Sequence, residues 1–113
     1  MKKVIILFFT LFWLQSFSQS DIFQIARNGT VEELKMVLKA NPNAINSVND
    51  RGSTPLILAS YYNNKAVAVE LIANGATIDT AIDMGTALMA AVVKGNYEIA
   101  KILLENSANP NLK

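Results

Sequence analysis

The chain repeats itself at a spacing of 32. Residues 54–76, TPLILASYYNNKAVAVELIANGA, overlie residues 86–108, TALMAAVVKGNYEIAKILLENSA, so that Thr54 meets Thr86, Leu56 meets Leu88, Ala59 meets Ala91, Leu71 meets Leu103 and Ala76 meets Ala108. A third, looser copy runs over residues 26–46, with Gly29 placed like Gly95 and residues 36–38 placed like 102–104. A fixed period near 33 is the mark of a stacked array, in which no unit has enough apolar surface to fold alone and the neighbours together make one continuous core.

That device answers a question of size. A chain of 113 residues has room for one small domain, and at this length a compact globule buries only about 60 to 65% of the surface its unfolded form exposes. The apolar fraction of 51%, with Gly 5 and Pro 3, argues against disorder. Cys 0 and His 0 remove disulfides, the thiolate nucleophile, the usual general base and the commonest zinc ligand together. Packing alone must hold the fold, and most catalytic chemistry is closed off.

Each unit reads as two short helices behind a turn. Thr54 can accept from the free amides of a helix start, and Pro55 suits the first helical position, where its missing N–H is not needed. The helix is predicted from Pro55 to about residues 62–64, with Leu56, Leu58 and Ala59 on its packing face. A second helix is predicted over about residues 65–73, carrying Val67, Leu71 and Ile72 and stopped by a left-handed Gly75. Thr30 and Glu33 form a capping box before Leu34, Val37 and Leu38, and Asn96 is expected to cap a helix carrying Ile99, Ile102 and Leu103. Between units, residues 46–53 and 79–85 are rich in Asn, Asp and Gly and suit a projecting β-hairpin.

The first twenty residues read separately. Lys2 and Lys3, the apolar run VIILFFTLFWL over residues 4–14 and the small-x-small SFS at 16–18 have the order of a secretory signal peptide cut after Ser18. The alternative reading is an uncleaved anchor, and the run counts against it because it is well short of the roughly 20 residues that span a bilayer. No cysteine stands near the site to carry lipid. Removing the segment takes two of ten basic residues and none of nine acids, leaving 8 − 9 = −1. The remaining charges are interspersed, which points away from a nucleic-acid or anionic-membrane surface.

These motifs resemble the ankyrin repeat over about residues 21–113. Its hallmark run is matched by Asp50, Gly52, Thr54, Pro55, Leu56, Ala59, Leu71, Ile72, Gly75, Ala76 and Asp79, and again by Asp83, Gly85, Thr86, Leu88, Ala91, Gly95, Leu103, Leu104, Ala108 and Asn111. The resemblance implies an all-α solenoid of about three helix-turn-helix units with β-hairpin loops, the units spanning about residues 21–49, 50–82 and 83–113 behind a signal peptide at 1–18. Four departures qualify it. Ile57 and Met89 replace the histidine that braces the turn, so looser hairpins are expected. The third unit has one residue fewer between Asp79 and Thr86 than the second has between Asn46 and Thr54, and Ala87 replaces the proline. Ser107 stands in place of Gly75. The end, NPNLK, shows no polar capping helix, so the array is either cut short or pairs its last face with something.

The resemblance further implies recognition of another, unidentified protein by the hairpin tips and the concave face. The contact positions carried over are Arg27 and Asn28 in the first unit, Arg51, Ser53, Tyr61 and Tyr62 in the second, and Met84, Val93 and Lys94 in the third. Two adjacent tyrosines at a helix end cannot both face the core, and aromatic and Arg side chains are what binding hot spots favour. The blander expectation is that Tyr62 packs on the hairpin and Tyr61 is solvated. Other candidates are weaker. No Gly-Lys-Ser/Thr follows Gly52-Ser53-Thr54, Asp79 and Asp83 read as solvated turn acids, and Asn28-Gly29-Thr30 is a glycosylation sequon in form only. No catalytic residue, cofactor or metal is expected. The competing reading is a short array that self-associates through its C-terminal face.

Overall fold

A computed structural model describes residues 21–80 and 85–106 of the chain. The signal segment at 1–18, Asp83 and Met84, Ser107 and the terminal NPNLK lie outside the described residues. The described residues form six α-helices in three pairs: α1 (Ile22–Asn28) with α2 (Val31–Ala40), α3 (Pro55–Tyr61) with α4 (Lys65–Ala73), and α5 (Ala87–Val93) with α6 (Tyr97–Glu105). A short 3-10 turn, Pro42–Asn46, follows the first pair. Helices α1, α3 and α5 pack in sequence as an inner row, and α2, α4 and α6 as an outer row.

Local chemistry sets the helix bounds. Thr54 and Thr86 accept from the backbone amides of Ile57 and Met89 at 3.2 and 3.3 Å, and Pro55 opens α3 at its first position. Thr30 and Glu33 close a reciprocal capping box at 3.2 and 2.9 Å. The outer helix of the second unit runs over the predicted span and ends before Gly75, whose φ of +89° is left-handed. Between units, Asn49 N–H donates to Ser53 O and Gly52 N–H to Asn49 O at 3.0 and 2.9 Å, which closes a tight hairpin tip. No extended strand flanks it among the described residues.

The core is repeated as the sequence is. Ala26, Ala59 and Ala91 are all at most 1% exposed, and their small size lets neighbouring inner helices approach closely. Leu56 and Leu88, Val67 and Ile99, and Leu71 and Leu103 fill equivalent places in the second and third units. Leu34 supplies the fully buried apolar residue of the first outer helix. No buried side-chain polar atom among the described residues lacks a partner.

Two asparagines tie the units together. Asn64 donates through Nδ2 to Ile25 O and Gly29 O at 3.2 and 3.1 Å, while its Oδ1 accepts from Val67 N–H and caps α4. Asn96 donates to Ser60 O and Tyr61 O at 2.8 and 3.1 Å. Its side chain makes no capping bond, so the expected cap is instead a brace to the unit before. The targets lie at the C-terminal turns of α1 and α3, where carbonyls run short of intrahelical donors; Ile25 O also accepts from Gly29 N–H, so there the asparagine adds a second bond.

Gly29 also departs from expectation. Only two residues, Gly29 and Thr30, join α1 to α2, whereas three residues join each later pair, and in those the left-handed position is Asn63 (φ 61°) or Gly95 (φ 74°). Gly29 therefore has no counterpart in Gly95. Its own φ is −90°, and glycine is needed because a Cβ there would sit 2.6 Å from Ile25 Cα.

On the outer row, Lys65 pairs with Glu98 one unit away, both largely exposed. The hydrogen bond and charge of Lys65 hold the Glu98 carboxyl below the ordinary glutamate range. A depressed folded value means that the pair contributes above the unfolded pKa and is lost as pH falls through the lowered one. Lys65→Met is expected to return the Glu98 titration upward in a carboxylate NMR experiment, and an unmoved titration would show the pair to be unformed in solution. Asn96→Ala is expected to lower unfolding free energy in urea by about 1–2 kcal/mol, because two part-buried carbonyls lose their donor. A loss no larger than that of an ordinary surface change would remove the brace from the account. Gly29→Ala is expected to cost about 1–3 kcal/mol by overpacking against backbone that cannot yield.

Candidate functional site

A groove of about 280 Å³ crosses all three units along the inner helices. Arg27 enters from the first unit, Asn49, Arg51 and Ser53 from the hairpin tip, Ile57, Leu58, Tyr61 and Tyr62 from α3, and Met89, Ala90 and Val93 from α5. Six of the nine expected contact residues are thus brought together: Arg27, Arg51, Ser53, Tyr61, Tyr62 and Val93. Lys94 joins them through Tyr61, with its Nζ 4.9 Å from the ring centroid. Asn28 does not join. It accepts from Gln24 Nε2 at 3.2 Å and lines a separate depression beside Gly29 and Glu33. Met84 lies outside the described residues.

Ile57 and Met89 make the floor, and their role differs from the one the sequence suggested. Where a histidine would brace the turn, Ile57 is 3% exposed and packs into the core. Met89 lies against the next turn so closely that a Cβ on Gly85 would fall 2.5 Å from its Sδ. The polar brace of the first hairpin comes from Asn49 instead, whose Oδ1 accepts from Arg51 N–H and Ser53 N–H at 3.0 and 2.9 Å. That turn is closed as well as braced, so the loss of the histidine leaves it held. The signal for the floor was present in the sequence as two apolar residues at one repeat position, but it reads as a missing brace until Leu58 and Ala90 are seen beside them.

The tyrosines divide in the opposite sense to the blander expectation. Tyr61 is the last residue of α3, i+4 from Ile57, and its half-buried ring packs against the core. Tyr62 is the C-cap, where the chain turns out of the helix, and it is 52% exposed. Their rings meet edge to face with centroids 5.1 Å apart, an arrangement the ring quadrupoles favour. Lys94 and Tyr62 both contact the Tyr61 ring, which forms one wall of the groove. Among the described residues the only ion pair is Lys65–Glu98, which leaves Arg27 and Arg51 without one.

Other chemistry is not gathered here. Among the described residues no three His, Cys, Asp or Glu side chains cluster as metal ligands, and no helix is long and apolar enough to cross a membrane.

A family model for ankyrin repeats in three copies matches residues 22–113. The chain is 35% identical over 95 residues to a mouse (Mus musculus) ankyrin repeat and SAM domain-containing protein 6, a match that covers 82% of this chain and 11% of that protein. It is 32% identical over 97 residues to the human (Homo sapiens) ankyrin repeat and SOCS box protein 3, covering 81% of the chain and 18% of the relative. A Treponema pallidum ankyrin repeat-containing protein is 33% identical over 98 residues, covering 84% and 32% respectively. The chain therefore spans a third or less of the length of these relatives.

Tyr62→Ala is expected to cost about 0.5–1 kcal/mol, because the exposed side chain loses its ring contact with Tyr61 and little else. Tyr61→Ala is expected to cost about 1–3 kcal/mol through lost core packing and the two ring contacts. Equal costs in urea melts would mean that the two rings share one environment.

Proposed function

The chain belongs to the ankyrin-repeat family, and on that premise we propose that it is an exported, non-catalytic module that docks another protein in the groove between Arg27 and Val93. The observation that carries the reading is the groove itself. A continuous apolar floor with an aromatic wall and arginines at its edge is the composition of an interface hot spot, and all three units contribute to it. Catalysis lacks its usual agents, since the chain holds neither histidine nor cysteine. Export rests on Lys2 and Lys3, the apolar run at 4–14 and the SFS at 16–18, whose order suits delivery to a periplasm or to the exterior.

A second reading, self-association of the last unit, is favoured by a comparison of repeat positions. Val92, Val93 and Leu104 are 50%, 78% and 47% exposed, while their counterparts 32 residues earlier, Ser60, Tyr61 and Ile72, are buried or half-buried where the third unit stacks. The face is of the kind that stacks in this array.

Affinity capture from the native envelope or culture fluid, with Tyr62→Ala as the comparison, tests the docking reading. Capture reduced about tenfold or more, with the array still cooperatively folded in the melt, is expected. Capture that ignores Tyr62 would take the groove out of the interface. For export, the intact mass of protein recovered outside the cytoplasm is expected to begin at Gln19, and retention of residues 1–18 would overturn cleavage. Light scattering across concentration separates the second reading, which a persistent monomer would exclude.

A further inference from the structure

The groove has a cationic edge as well as a shape. Arg27 and Arg51 line it, Lys94 is held over the Tyr61 ring beside it, and no Asp or Glu is among its described lining residues. Neither arginine has an ion pair among the described residues. Arg27 is half-buried in the inner row and Arg51 stands exposed at the hairpin tip, so two cationic groups from different units border one apolar floor. A basic partner would meet like charges here, and a wholly apolar one would leave the guanidinium groups partly desolvated with nothing to accept their hydrogen bonds.

Resting on the protein-docking reading above, we infer that the occupant is an acidic segment of a partner protein that places one apolar or aromatic side chain on the floor formed by Ile57, Leu58, Met89 and Ala90 and sets carboxylates against Arg27 and Arg51. The anchor supplies burial between Tyr61, Tyr62 and Val93. The carboxylates supply register, because the two guanidinium forks accept planar, two-point partners on either side of the anchor. A volume of about 280 Å³ suits one large side chain with its flanking backbone.

The test uses fluorescein-labelled decapeptide pools and the full mature chain in fluorescence anisotropy. One pool has a central Leu or Phe between Asp and Glu flanks, a second has the same centre between Lys flanks, and a third has acidic flanks around Gly. Only the first is expected to bind well, with affinity falling at least about tenfold as salt rises from about 0.05 to about 0.5 M. Arg51→Glu is expected to cost about tenfold or more and to shift preference toward the Lys-flanked pool. Arg27→Gln gives a second variant that does not reverse a half-buried charge. Equal binding of the basic or anchorless pool, insensitivity to salt and to both variants, or no binding by any pool overturns the inference. Capture that still depends on Tyr62 while salt and the arginine variants have no effect would leave protein docking in place and remove the acidic occupant. Capture indifferent to Tyr62 would remove docking itself.

Discussion

Each of Asn64 and Asn96 donates its side-chain amide to the unit before its own, and the rest of the structure depends on that direction of bonding. A short helix leaves its last carbonyls without intrahelical donors, and in a stacked array those carbonyls are covered by the next unit instead of by water. The apolar half of the contact is non-directional. Alanines at 26, 59 and 91 allow close approach, but a flat contact of small residues does not by itself fix how far one helix slides along another. The asparagine supplies that register, since two hydrogen bonds at 2.8 and 3.1 Å hold only one offset.

The groove inherits its geometry from this brace. Asn96 holds the carbonyl of Tyr61, the residue whose ring walls the groove, and Lys94, two positions before Asn96, sits over that same ring. Backbone and side chain of Tyr61 are thus fixed by one short turn of the following unit. The floor is fixed from the other side, where Ile57 packs into the core and Met89 closes over Gly85. An apolar residue at the position of the turn-bracing histidine removes a polar group that would otherwise face the groove, and Asn49 takes over the hydrogen bonds to the turn. The result is an apolar surface that needs no polar partner along its bottom.

Much of the fold was legible because the repeat and the caps agree. Thr54 with Pro55, Thr30 with Glu33, and Gly75 after residue 73 give the bounds of helices to within a residue or so, since each is a local choice between a few backbone shapes. What was not legible involves choices with two outlets. An asparagine before a helix can accept from its own amides or donate to another segment, and residue type does not say which; Asn64 does both and Asn96 only the second. Gly29 matched Gly95 in a gapless comparison, but the first turn is one residue shorter, so the match was one of letter and not of backbone. The order of the tyrosines turned on where α3 ends, a boundary that sequence gives less well than it gives the helix. The groove joins Arg27 to Val93, a separation longer than two periods, and only the stacking of the inner helices shows that both border one space.

The cationic edge acts over a short range. The full chain carries a formal charge of +1, so there is no strong overall field to draw an acidic partner from a distance. At physiological ionic strength the screening length is about 8 Å, so the arginines act on groups seated beside them and not across the molecule. Charges at such an edge affect which flanking residues are tolerated once an anchor is seated, more than they affect how often partners meet. Affinity must then come mainly from the anchor on the floor of Ile57 and Met89. The arginines decide whether a given anchor is accepted, and an array that is nearly neutral overall can in this way discriminate by charge without attracting every acidic surface near it.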